Sequence, residues 1–124
     1  MLPRRHRLTS GQDFRSVLRG RGDGRRRRRA GTSLLVVHAS CPAPDDGSTR
    51  CPRVGLVVSR AVGNAVVRNR TARRLRALVG ARLATMPCGT DLVVRALPPA
   101  ASATSTELGS ALDDGLARAL PRLV

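Results

Sequence analysis

The sequence predicts an α+β fold, one sheet covered by helices, and three observations carry that prediction. Two β-rich runs, "SLLVVHA" and "RVGLVVSR", stand close together in the first half of the chain. A longer segment with helical periodicity, "VVRNRTARRLRALVGARL", separates them from a third β-rich run, "DLVVRAL". Leu108, Leu112, Leu116 and Leu120 then recur at i, i+4 spacing and mark a last helix. At 124 residues without an internal repeat, this is a single domain, residues 1–124, built as a two-layer αβ sandwich.

The elements follow in order. Ser10 with Asp13 resembles a capping box, and "QDFRSVLRG" places Phe14, Val17 and Leu18 on one side of a short first helix before Gly20. The block Arg25 to Arg29 then admits two readings of equal weight. One is a solvated arm; the other is an edge strand or arm lying on phosphate. Ser33 to Ala39 reads as a strand, and "SCPAPDDGSTRCP" as a loop. Arg53 to Arg60 carries Val54, Leu56 and Val58 on one face and Gly55, Val57 and Ser59 on the other. Apolar residues on both faces predict a central strand.

After the turn "AVGN", a helix is predicted over Val66 to Leu83. At about 100° per residue, Val67, Ala72, Leu75, Leu78, Val79 and Leu83 share one arc. Asn69, Arg70, Arg73, Arg74 and Arg76 fill the other side. Arg68 projects into the apolar arc, as does Arg82, which can snorkel at a fraying end. A strand over Asp91 to Leu97 closes on two prolines. Thr104 to Glu107 forms a T-x-x-E capping box ahead of the leucine stripe, which ends near Pro121.

Charge narrows the function. The 23 basic residues against 8 acidic give a net charge of +15. Such a field favours polyanions, nucleic acid before membrane. No apolar run is long enough to span a bilayer, and the N-terminus lacks the apolar core of a signal peptide, so no membrane partner and a cytoplasmic location are expected. Every basic residue is arginine, which suits bidentate phosphate contacts but is explained more readily by coding bias. The placement says more than the count, because the basic helix carries no acid to pair with.

Enzymatic chemistry is missing. Asp45 and Asp46 fall in a loop, and Asp113 and Asp114 on the exposed side of the last helix, where they read as surface charge. No phosphate-binding glycine motif opens a helix, and no small-molecule substrate is implied. Cys41, Cys51 and Cys88 lack CxxC spacing, and His38 with Cys41 falls short of a metal ligand set. No catalytic or metal-ligating residue is assigned. Phe14 is the only aromatic, which argues against a module that reads bases on rows of rings.

"VGLVVSRAVGNAVVRNRTARRLR" resembles the signature of the bacterial ribonuclease P protein subunit: a strand ending in Ser-Arg, a Gly-Asn turn and an Arg-Asn-Arg helix. The first helix, "LLVVHA" and "DLVVRALPPA" are also similar to that family, so the resemblance covers nearly the whole chain. It implies a mixed four-stranded sheet of ribosomal protein S5 domain 2-like topology, order α-β-β-β-α-β-α, with a left-handed βαβ crossover. Elementary chain physics would favour a right-handed one. It further implies a non-catalytic subunit of an RNA-based endonuclease that removes the 5′ leader of precursor tRNA, with Mg2+ bound mainly through the RNA.

By position, the resemblance implies that Arg60, Asn64, Arg68, Asn69, Arg70, Arg73, Arg74 and Arg76 dock on the ribonuclease P RNA. Phe14, Leu18, Val36, His38 and Arg68 are expected near the leader cleft, between the first helix and the sheet. The chain departs from the family pattern at Leu18, at Val37 or His38, where aromatics are common, and at Ala72, where a cation is common. Two other readings stay open: a ribosomal-type RNA-binding protein without a role in cleavage, and a self-sufficient nuclease using Asp13 and Asp91.

Overall fold

The structure, a computed structural model, describes residues 2, 4–8, 14, 15, 17, 26–41 and 50–120. The strands are β1 (Arg26–Gly31), β2 (Leu35–Cys41), β3 (Arg53–Val57) and β4 (Asp91–Ala96). The helices are α1 (Ala65–Gly80), between β3 and β4, and α2 (Ser105–Ala119), after β4. Phe14, Arg15 and Val17 are helical, as the first-helix reading requires. Ser10, Asp13, Leu18 and Gly20, which carry the rest of that reading, lie outside the described residues.

The sheet is mixed and four-stranded, in the order β1-β2-β4-β3. β1 and β4 run antiparallel to β2, and β3 runs parallel to β4 with α1 as the connection. The arginine block is therefore an edge strand over Arg26 to Gly31, not a solvated arm. Thr32 closes its hairpin: the Thr32 amide donates to the Leu35 carbonyl at 2.8 Å, and the Leu35 amide donates to Thr32 Oγ1 at 3.1 Å.

β3 is an edge strand, which corrects the central position expected for it. Both of its faces are apolar because both are covered, not because it has strands on either side. Val54 joins the core under the helices, whereas Phe14, Leu8 and Val17 pack with Val57 and Val93 on the second face. The free edge is partly taken by the N-terminal segment, where Arg7 bridges Val54 and the Leu8 amide donates to the Val54 carbonyl at 3.0 Å. The strand stops at Val57, short of Arg60, because the Val58 carbonyl accepts from Arg68 Nε and a turn follows, closed from the Val62 amide to the Ser59 carbonyl.

The main core lies between the sheet and the two helices. Leu35, Val37, Leu92 and Val94 face Leu75, Val79, Leu108 and Leu112, all of them buried. Gly115 lets α2 approach β2, since a Cβ there would stand 2.6 Å from Val37 Cγ2. The Thr104–Glu107 capping box is complete, and its two hydrogen bonds fix the start of α2.

α1 begins and ends a little earlier than periodicity predicts, at Ala65 and Gly80. Arg82 lies beyond the helix and is not snorkelling. Its Nη1 donates to the Leu78 carbonyl at 2.8 Å, and its guanidinium holds Asp113 on α2. Asp113 is therefore an interhelical partner and not idle surface charge, and Asp114 pairs with Arg118 at 3.0 Å.

Candidate nucleic-acid interface

α1 presents its cations because the apolar arc fixes which way it faces. Thr71, Ala72, Leu75 and Val79 are buried, which turns Asn69, Arg70, Arg73 and Arg76 outward as exposed residues. Asn64 is the N-cap: its side chain accepts from the Val67 amide at 3.0 Å, which sets the direction of the helix as it leaves the Gly-Asn turn. Arg60 is exposed in that turn. No acid lies in the first turn of the helix and no base in its last. The helix dipole, positive at the N-terminus, therefore adds to the cationic field instead of being neutralised by a side chain.

Two of the predicted cations are partly committed to the fold. Arg68 is half-buried and its Nε donates to the Val58 carbonyl at 3.1 Å. Arg74 is half-buried and its Nη1 donates to the Ala103 carbonyl at 3.2 Å. Each side chain ties α1 to a neighbouring segment and keeps its remaining N–H groups for an anion.

The sheet face turned away from α1 and α2 has its own pattern. Pairing in register places Arg29, His38, Val93 and Gly55 in one cross-strand row, and Gly31, Val36, Arg95 and Val57 in the next. Val36 and His38 thus share this face with Phe14, which packs against Val57 and Val93. Phe14 fits because residue 55 is glycine; any Cβ there would overlap the ring. Leu18 lies outside the described residues.

Arg68 does not join Val36 and His38. Its place in the apolar arc of α1 turns it toward the end of β3 on the helix side, where it lines a depression with Leu56, Val58 and Asn69. A second depression of about 290 Å³, lined by Leu8, Phe14, Gly55 and Arg7, adjoins it, and the two share Leu56 and Arg76. Arg68 therefore approaches Phe14 around the β3 edge, and not across the sheet.

His38 is half-buried, and its imidazole pKa lies below the usual histidine value. Burial is the main cause, followed by the charges of Arg29 and Arg95. Arg29 belongs to the arginine block Arg25 to Arg29, whereas Arg95 carries no role in the sequence analysis. Arg95 interrupts the apolar run of β4, a visible signal, but which side chains it stands beside depends on strand order.

Among the described residues, the acids serve the fold. Asp91 is buried and bound to Arg53 at 3.0 and 3.1 Å and to Arg50 at 3.0 Å. Asp13 lies outside the described residues. Cys41 is buried with its Sγ 3.9 Å from Thr90 Oγ1, Cys51 is half-buried and Cys88 exposed. His38 and Cys41 are three residues apart on one strand and so point to opposite faces. Among the described residues, no group of three or more His, Cys, Asp or Glu could hold a metal ion, and no helix is long and apolar enough to cross a membrane.

Comparison with known proteins agrees over the whole chain. The family model described as Ribonuclease P matches residues 2–120. The ribonuclease P protein component of Nocardioides sp. is 48% identical over 118 residues, covering 95% of this chain and 94% of that one. Its counterpart from Streptomyces bikiniensis is 48% identical over 124 residues, covering 97% and 96%. Among solved structures, the Staphylococcus aureus RNase P protein superposes with a TM-score of 0.72 at 23% identity, covering 90% of this chain and 93% of that one. The Thermotoga maritima RNase P protein, in complex with 1-(4-fluorophenyl)-2-thiourea, gives a TM-score of 0.71 at 22% identity, covering 90% and 98%. The two structures share the mixed-sheet fold, and the sequence relatives fix the lineage: the chain belongs to the ribonuclease P protein family.

Proposed function

We propose that this chain docks on the ribonuclease P RNA through α1 and contacts the 5′ leader of precursor tRNA, while the RNA performs the cleavage. The observation that carries the reading is the acid-free outer face of α1, where Asn69, Arg70, Arg73 and Arg76 are exposed together beside Arg60. A face of one sign gains nothing from internal pairing and takes its counter-charge from phosphate. Arg68 and Arg74 contribute from the flanks of that surface, and Asn64 orients it.

Phe14, Val36 and His38 form the leader side of this reading, on the second face of the sheet. Phe14 has only part of its ring exposed and packs tightly on Gly55, so its stacking on a base is limited and backbone electrostatics carries most of the grip. Magnesium belongs to the RNA in this reading, bound through phosphate oxygens, and the protein's role is to favour the folded RNA that holds it. The location that accompanies this role is cytoplasmic.

Reconstitution tests it. Purified protein, a matched bacterial ribonuclease P RNA and a precursor tRNA with a 5′ leader are combined at near-physiological magnesium. Cleavage stimulated only when RNA and protein are both present supports the subunit role. Tight RNA binding without stimulated cleavage assigns the chain to structural RNA binding, and cleavage by protein alone assigns the chemistry to the protein.

A further inference from the structure

We propose that Arg29 and Arg95 are positioning residues for the 5′ leader, holding phosphates of its single strand on either side of His38. This rests on the leader reading above and adds residues and a path to it.

β1 and β4 flank β2, so the two arginines sit two strand spacings apart, about 10 Å. Arg29 is directly opposite His38, and Arg95 is directly opposite Val36, two residues along β2 from His38. Between them Val36 is buried and His38 is half-buried, whereas both arginines are exposed. They stand as two cationic posts over a floor of small and neutral side chains.

Among the described residues, neither post has a counter-charge. Arg50 and Arg53 hold Asp91, Arg82 holds Asp113, and Arg118 holds Asp114. Glu107 is engaged in its capping box. Each described carboxylate is thus committed elsewhere, and among the described residues Arg29 and Arg95 have no ion pair and no side-chain hydrogen bond. The pKa of His38, lowered first by burial, is lowered further by the charges of Arg29 and Arg95. Protection of a free sheet edge accounts for cations on β1. It does not account for Arg95, because β4 is paired on both sides.

The ligand class follows from the shape. Two guanidiniums across a narrow sheet face, with Phe14 beyond them as the only Phe, Tyr or Trp in the sequence, track a backbone and do not read a series of bases. The grip is therefore tolerant of leader sequence, and it runs from β1 across β2 and β4 toward Phe14.

The test uses holoenzyme reconstituted from the full chain and a matched ribonuclease P RNA, with precursor tRNA carrying a long leader or with leaderless tRNA. Arg29→Gln and Arg95→Gln together are expected to raise KM for the leader-bearing substrate about tenfold with kcat retained. The salt slope of leader binding should fall by about 1.4, at roughly 0.7 per single-strand phosphate. Leaderless tRNA is expected to bind as before, and Arg29→Lys with Arg95→Lys to recover most of the loss. Equal weakening for both substrates, weaker binding of the RNA subunit as the sole defect, or no change overturns the proposal. Wild-type holoenzyme that binds both substrates equally well would overturn the leader reading itself, and this inference with it.

Discussion

The guanidinium of Arg82 holds the carboxylate of Asp113 through two contacts, Nε at 2.5 Å and Nη2 at 3.2 Å, and so fastens the end of α1 to the middle of α2. This ion pair holds the chain at the end of the arginine-rich helix to the layer that supports it. Asp113 is largely exposed and Arg82 half-buried, so the pair itself is worth about 0.5–1 kcal/mol. Arg82→Ala also forfeits the bond to the Leu78 carbonyl and should cost more than Asp113→Asn. A double-mutant cycle by urea denaturation should return a coupling of about 0.5 kcal/mol; zero coupling would mean that the contact is only geometric. The Arg82 hydrogen bond lowers the Asp113 pKa. The stabilisation is therefore present above the ordinary carboxylate range, near pH 4, and is lost as pH falls through the lowered value.

Gly55 and Phe14 form a second pair that cannot be changed independently. A Cβ at position 55 would overlap the Phe14 ring and crowd Leu8 Cβ at 3.2 Å. Gly55→Ala is expected to destabilise by about 1–3 kcal/mol through overpacking. Combined with Phe14→Ala, the two losses should add to less than their sum, because removing the ring removes the clash. Strict additivity in thermal or chemical unfolding would show that the ring does not rest on residue 55.

His38 makes stability depend on pH near neutrality. Burial, Arg29 and Arg95 all disfavour the imidazolium, so the folded pKa is lower than the unfolded one. Between those two values the unfolded chain binds more protons, and stability rises with pH up to about 6.5. Tm followed through this window should climb in the wild type and flatten in His38→Gln. An unchanged slope in the variant would move the titration to another group.

Arg70 and Arg73 are exposed on α1 with no protein partner among the described residues, so their replacement separates binding from folding. Each change to Ala is expected to weaken affinity for the RNA subunit and lower the salt slope by about 0.9, with little effect on Tm. Arg74→Ala should weaken affinity and also lower Tm, since it loses the bond to the Ala103 carbonyl. If all three leave the slope as it was, α1 is a solvated face.

Asp91→Asn tests the nuclease reading. The buried carboxylate holds Arg50 and Arg53, and its neutralisation weakens those charge-assisted hydrogen bonds, at a cost of about 1–3 kcal/mol. Loss of folding in step with loss of holoenzyme activity marks a structural acid. A stable variant with abolished turnover would assign it to the chemistry.

The sequence by itself determined the order of the described strands and helices, the capping box of α2, and the acid-free face of α1. These are local properties: Thr104 and Glu107 cap one turn, and the sign of Arg70, Arg73 and Arg76 needs no partner to be read. Tertiary structure decided the rest. Arg53 to Arg60 reads as a central strand because coverage by helices and coverage by neighbouring strands leave the same apolar pattern on both faces. Arg95 stands near His38, Arg82 meets Asp113, and Arg68 is kept from Val36 only once the strands take the order β1-β2-β4-β3 and α1 lies on one side of them. Such pairings join residues tens of positions apart, and no local periodicity encodes which strand lies beside which.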